Sequence, residues 1–285
     1  MKFTKLQGLG NDFVLLDARD FQAINWADVA QRICARHFGV GSDGLLLLLR
    51  SQVADFRMRI FNPDGSESEA CGNGLRCLVR YVMTNNLNQK KDELSIETLS
   101  GIRQARLVKR GHQSFISVSM GKPLFEPRAI PVAAEVGKGS IYDIMLGDYP
   151  LTIDGSILKL NFVSMGNPHA VYFAPDSIAE FPLTTLGKKV ENNPLFPRGV
   201  NFEVARMTSP GRCEMRVWER GAGETLACGS GACAVAVAAR MRGLSGNKLE
   251  LSLPGGLAEV SWDGQGEVRL TGPAEVVFSG EWTDD

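Results

Sequence analysis

The chain has 285 residues, 44% of them apolar, and a formal net charge of −1 with both signs interspersed. That is enough apolar material for one large core or two moderate ones, and the charge balance excludes the basic stripe of a nucleic-acid binder and the acidic tail of a solvating segment. No apolar run is long enough to span a membrane, and Met1-Lys2-Phe3-Thr4-Lys5 does not open a secretory signal, so a cytoplasmic protein is expected.

In chain order, Phe3 to Leu6 reads as a strand, Gly8-Leu9-Gly10-Asn11-Asp12 as a tight loop and Phe13 to Leu16 as a second strand. Asn25 is the predicted cap of a helix from Trp26 to about His37, with Asp28 in its first turn and His37 capping or solvating its end. Gly39-Val40-Gly41-Ser42-Asp43-Gly44 lacks the spacings of a nucleotide cradle, and the five leucines Leu45 to Leu49 that follow read as a strand buried on both faces. Phe56 to Phe61 is a strand, and Cys71-Gly72-Asn73-Gly74 opens a helix over Leu75 to Met83. Strands follow near Leu94 to Thr98, Ile102 to Val108 and Phe115 to Ser119, with His112 exposed in the turn between the last two. Gly121-Lys122-Pro123 and Pro127 to Pro131 break the pattern and mark a domain boundary.

The second half passes Ser164-Met165-Gly166-Asn167-Pro168-His169 and a short helix near Pro182 before strands at Val200 to Val204 and Cys213 to Trp218. Ala232 to Ala239 has no polar face and predicts a helix buried all round. Strands near Lys248 to Leu253, Leu257 to Trp262, Val268 to Leu270 and Val276 to Phe278 complete the chain.

The chain repeats itself. Met58 to Gly74 aligns with Met215 to Gly231 over 17 positions at a constant offset of 157, with seven identities that include Ala-Cys-Gly-x-Gly. Asn11 lies 60 residues before Cys71 and Asn167 lies 61 before Cys228, so the duplication covers most of each half. A pseudo-symmetric pair of α/β domains, each with strands around one central helix, fits this inventory.

In each half a thiol sits where a helix begins, and there the free N–H groups and the helix dipole favour a thiolate or a substrate carboxylate. Free cysteine titrates near ~8.5, so only a modest lowering makes thiolate available at neutral pH. Reversing configuration at an amino acid's α-carbon needs a base on one face and an acid on the other, which two thiols supply, while loop N–H groups stabilise the carbanion-like transition state. Two thiols serving one carbon could also oxidise to each other, with loss of activity in air and recovery in dithiothreitol. The scheme needs no pyridoxal cofactor, and the sequence carries no signature for one. Six cysteines in a long chain without a signal do not make a disulfide framework, and a zinc site is disfavoured because no C-x-x-C occurs. Cys34, Cys77, Cys213 and Cys233 lie in apolar runs and read as core.

Gly8-Leu9-Gly10-Asn11-Asp12-Phe13, Phe61-Asn62-Pro63-Asp64-Gly65-Ser66, Ala70-Cys71-Gly72-Asn73-Gly74, Ser164 to His169, Glu219-Arg220-Gly221-Ala222-Gly223-Glu224-Thr225 and Ala227-Cys228-Gly229-Ser230-Gly231 together resemble the diaminopimelate epimerases, essentially end to end. The resemblance implies two barrel-like domains, 1–120 with 273–285 and 121–272, each a sheet wrapped around a central helix. It implies a cofactor- and metal-independent isomerase that interconverts LL- and meso-2,6-diaminopimelate for lysine and peptidoglycan, acting as a homodimer. Cys71 and Cys228 would be the acid–base pair, with His169 and Glu219 in support. Asn11, Asn62, Gly72, Asn73, Asn167, Asn201, Glu219, Arg220, Gly229 and Ser230 would hold a substrate with two ammonium and two carboxylate groups. Many members carry glutamine where this chain has Gly44, so that contact is absent or comes from backbone or water. Taken singly, Asn11, Asn62 and Asn201 would read as turn or cap residues and Arg220 as a solvated charge. Two other functions compete with the epimerase reading. Another cofactor-free racemase, acting on proline or hydroxyproline, would leave the distal asparagines without a second amino-acid head to grip; a thiol-redox or metal-binding module would want a C-x-x-C.

Overall fold

The computed structural model describes residues 1–283 apart from 22, 70, 88–90, 112 and 134–147. His112, and Ala70 of the first Cys loop, lie outside the described residues. The chain forms two compact units, Met1–Ser119 with Thr271–Asp285, and Met120–Leu270.

In the first unit β1 (Lys2–Gly8) and β2 (Asn11–Asp17) form an antiparallel hairpin. Its turn places Leu9 at φ 59° and Gly10 at φ 80°, the left-handed pair that a two-residue hairpin loop requires. Leu9 takes that strained backbone with its side chain buried. Helix α1 (Trp26–Ile33) is shorter than the sequence pattern suggests. The chain folds back to satisfy the helix end: Gly41 donates to the Ile33 carbonyl at 3.0 Å and Ser42 to that of Cys34 at 3.1 Å. His37 is therefore an exposed residue beyond the helix and does not cap it. Asn25 occupies the N-cap without capping through its side chain, which donates instead to Asp28 at 2.7 Å.

β3 (Gly44–Leu49) runs parallel to β2. Its leucines are buried on both faces, because Leu45 and Leu47 join the cluster around Val29, Ala30 and Ile33 of α1 while Leu46 lies under the start of α2 (Gly72–Thr84). Each such leucine contributes about 1.5–3 kcal/mol of burial, so the leucine run anchors the unit. β4 (Phe56–Phe61) is antiparallel to β3 and to the two-residue β5 (Glu67–Ser68), and parallel to β6 (Glu93–Thr98). β7 (Gly101–Arg110) and β8 (Gln113–Ser119) continue antiparallel, and α2 packs inside against β1, β2, β3, β4 and β8.

The second unit repeats the plan. β9 (Tyr149–Ile153), β10 (Ser156–Ser164) and β11 (Pro168–Phe173) are successive antiparallel strands, and α3 (Leu183–Glu191) leads to β12 (Asn201–Ser209), parallel to β11. β13 (Arg212–Glu219) is antiparallel to β12 and to β14 (Gly223–Thr225), and parallel to β15 (Lys248–Leu253), which pairs with β16 (Gly256–Ser261). Helix α4 (Gly229–Met241) is the central helix, buried without interruption from Gly231 to Ala239 as its alanine and valine run predicts. The pairing senses of β1 to β7 and of β10 to β16 match strand for strand. β17 (Arg269–Gly272) carries the chain back to the first unit, where β18 (Glu275–Glu281) pairs with β1. Among the described residues no helix is long and apolar enough to cross a membrane.

Candidate active site

Cys71 and Cys228 are the N-caps of α2 and α4, both in extended backbone conformation. Each sulfur accepts from the amide three residues on, Gly74 at 3.5 Å and Gly231 at 3.3 Å, so a helix start donates to each thiol. None of the six cysteines is in a disulfide, and Cys34, Cys77, Cys213 and Cys233 are buried as core.

Around Cys71 the neighbours are amides. Its thiol faces Asn11 Oδ1 at 3.9 Å, which also accepts from Asn73 Nδ2 at 3.1 Å. Asn11 Nδ2 donates to Asp43 at 2.8 Å, so its oxygen is turned toward the thiol. Asp43 is held by Arg36 at 2.6 Å and by the Asp12 amide at 3.1 Å, and Lys5 sits 2.6 Å from Asp12. Burial works against the Asp12 charge, but Lys5 outweighs it and keeps that carboxyl below its ordinary range. Arg76, fully buried, donates to Asn73 Oδ1 at 2.9 Å and to the Pro273 carbonyl at 3.2 Å, which braces the helix start. Asn62 holds its own turn through Ser66 at 2.9 Å and Ser68 at 3.3 Å.

Around Cys228 the neighbours are charged. Asn167 donates to Ser230 Oγ at 3.2 Å, and that hydroxyl lies 3.4 Å from the Cys228 sulfur. His169 is wholly buried, with Nε2 2.9 Å from Asn167 Oδ1 and Nδ1 2.7 Å from Glu203 Oε1. Glu219 accepts from Thr225 Oγ1 at 2.5 Å; burial lifts its carboxyl above the ordinary range, and hydrogen bonds from Thr225 and Cys228 offset part of that. The Cys228 thiol is itself pushed well up, first by burial, then by the charges of Glu219 and Glu203, against the hydrogen bonds from Ser230 and Gly231.

Asn201 is buried and fully engaged: its amide donates to the Pro168 carbonyl at 2.8 Å and accepts from the Arg220 amide at 2.9 Å. The Arg220 guanidinium donates to the Arg198 carbonyl at 3.1 Å and is otherwise exposed. Glu191 anchors the Glu219-Arg220 loop by accepting from Trp218 Nε1 and from Gly221, each at 2.7 Å.

The structure thus gathers Asn11, Cys71, Gly72 and Asn73 at one helix start, and Asn167, His169, Glu219, Cys228, Gly229 and Ser230 at the other. Asn62 and Arg220 lie on loops, and Asn201 opens β12. Sequence reasoning missed Asp43, Glu191, Glu203 and Thr225. Glu203 carried a signal, a lone carboxylate inside the apolar strand run Val200 to Val204.

Fold and site together define a two-unit α+β protein with one cysteine at the start of each central helix. The same fold occurs in a probable proline racemase from Agrobacterium radiobacter, at TM-score 0.70 and 15% identity, over 100% of this chain and 93% of that one. The family model for diaminopimelate epimerase matches residues 3–126 and 161–277. The diaminopimelate epimerase of Carboxydothermus hydrogenoformans is 46% identical over 99% of both chains, and that of Moorella thermoacetica 46% identical over 100% of both. The chain belongs to the diaminopimelate epimerase family.

Proposed function

We propose that this chain interconverts LL- and meso-2,6-diaminopimelate by proton transfer at one α-carbon, with Cys71 and Cys228 as the acid–base pair and without pyridoxal phosphate or metal. One sulfur, as thiolate, takes the α-proton; the other, as thiol, gives its proton to the opposite face. Each turnover leaves the two protonation states exchanged, ready for the reverse reaction or for reset by solvent. The observation that carries this reading is the paired sulfur-capped helix start in a chain that aligns over its full length with a diaminopimelate epimerase.

The amides of Gly72, Asn73, Gly229 and Ser230 stabilise the developing negative charge at the α-carboxylate, as helix starts do for anions. His169 and Glu219 support Cys228. Asn11, Asn62, Asn167, Asn201 and Arg220 bind the amino and carboxylate groups that do not react. Incubation with the LL isomer in D2O tests this: α-deuterium and meso product are expected, and their absence from active-site-intact protein refutes it.

The proposal extends to a cytoplasmic homodimer that binds neither nucleic acid nor membrane. Supporting the dimer, all seven residues of β18 are exposed, and Val276, Val277 and Phe278 among them form an apolar patch suited to a second copy. Sedimentation should give twice the monomer mass.

A further inference from the structure

Strand register aligns the two halves residue by residue beneath the thiols. Phe13 pairs with Gly44 across parallel strands β2 and β3, and His169 pairs with Asn201 across β11 and β12. Two positions on, Leu46 corresponds to Glu203. Both lie under the third residue after the cysteine. A Cβ at Gly74 would stand 3.0 Å from Leu46 Cδ2, and one at Gly231 would stand 2.7 Å from Glu203 Oε1. One half fills this place with Phe13 and Leu46, the other with His169 and Glu203.

The first half shows that the fold needs no charge there. Burying two polar, ionisable side chains costs more than burying leucine and phenylalanine, so this pair is weak evidence for stability. Glu203 and His169 are both wholly buried, and Glu203 Oε2 has no hydrogen-bond partner. Both ring nitrogens of His169 are engaged, Nδ1 with Glu203 Oε1 and Nε2 with Asn167 Oδ1, so the ring is fixed from both sides. From there the contacts run through Asn167 and Ser230 to the Cys228 sulfur.

We propose that Glu203 is a positioning residue for proton transfer at Cys228: it holds His169, and through it Asn167 and Ser230, against the sulfur. Its carboxylate lies against the first turn of α4, where the helix start favours negative charge. The titratable groups around the thiol come from three strands, His169 on β11, Glu203 on β12 and Glu219 at the end of β13, and the two carboxylates both favour the neutral thiol. Cys228 is thereby kept as the proton-bearing partner until substrate arrives. The proposal rests on the epimerase reading above.

The test compares wild type with Glu203→Gln, Glu203→Asp and the double variant His169→Phe/Glu203→Leu, which copies the first half. In substrate-free wild type, proton NMR should show a strongly downfield imidazole N–H that is absent from His169→Asn and moves upfield in Glu203→Gln. Glu203→Gln should lower kcat at least about tenfold with KM little changed, move the basic limb of kcat/KM to lower pH, and be partly rescued by Glu203→Asp. The double variant should fold with undiminished stability and be inactive, which separates positioning from structural support. Unchanged kcat and basic limb in Glu203→Gln, or an active double variant, would overturn the proposal. Wild type without activity on LL-diaminopimelate would overturn the epimerase reading alone, because the N–H signal reports the Glu203–His169 contact without substrate.

Discussion

The two thiol loops share backbone and capping geometry, yet the side chains packed against them differ. Cys71 is half-buried among amides, over the apolar pair Phe13 and Leu46. Cys228 is 5% exposed, with two carboxylates and a histidine about it. A duplicated fold has thus kept the element that addresses the sulfur, the helix start, and diverged in the residues that decide when it holds a proton. Under the proposed reading this inequality biases which of the two sulfurs holds the proton between turnovers.

The largest test of the comparison removes either sulfur. Cys71→Ala and Cys228→Ala should each reduce epimerisation by at least ~100-fold while circular dichroism stays native. Near-native turnover in either variant would mean that the two loops are not a functional pair.

A tenfold contrast is expected in reactivity. At pH 7, without substrate, iodoacetamide should modify Cys71 at least about ten times faster than Cys228, which is buried and favoured as thiol. Peptide mapping over a time course measures both rates, and equal rates would erase the asymmetry.

The glycines at the third position after each cysteine sharpen the comparison energetically. Gly231→Ala must displace the Glu203 carboxylate and crowd the Cys228 sulfur, 3.3 Å from the new Cβ, at a cost of about 1–3 kcal/mol. Gly74→Ala presses on the end of Leu46 and makes ordinary contact with Ile60 and Cys71, and the gain in helix propensity of about 1 kcal/mol should leave it near neutral. Urea midpoints decide between them.

The smallest effect is absent at neutral pH. Burial pushes the core thiols Cys77 and Cys213, one in each unit, up to about 12. Because the folded value is raised above the unfolded one of ~8.5, their contribution is complete below that pH and is lost as pH climbs toward about 12. Cys77→Ala and Cys213→Ala should each flatten the alkaline fall in stability, read as urea midpoints from neutral to alkaline pH, and a slope unchanged in both would contradict the assignment.

Local pattern was enough for the duplication, both cysteine-capped helices, the fully buried Ala232 to Ala239 run and the double-faced leucine strand. Each of these rests on periodicity or on the chemistry of a helix start, which acts within a few residues. The end of α1 was misjudged because the competing bonds come from Gly41 and Ser42, on a segment that folds back only in the tertiary structure. The sequence offers Asn201 as a turn or substrate-binding residue, and only the tertiary structure shows that its amide also ties the Pro168 carbonyl to the Arg220 amide. Glu203 stood in the sequence as one charge in an apolar strand. Whether it was solvated, paired with an arginine or set under the Cys228 loop depended on which strand lay beside β12 and at what register. A parallel neighbour arrives through a crossover helix, so the His169 that pairs with it is 34 residues away in sequence. Chain composition and spacing therefore determined that there are two sulfurs at two helix starts. Tertiary register alone decided that one rests on hydrocarbon and the other on a buried charge, because a carboxylate's effect on a thiol depends on distance and burial, neither of which is written along the chain.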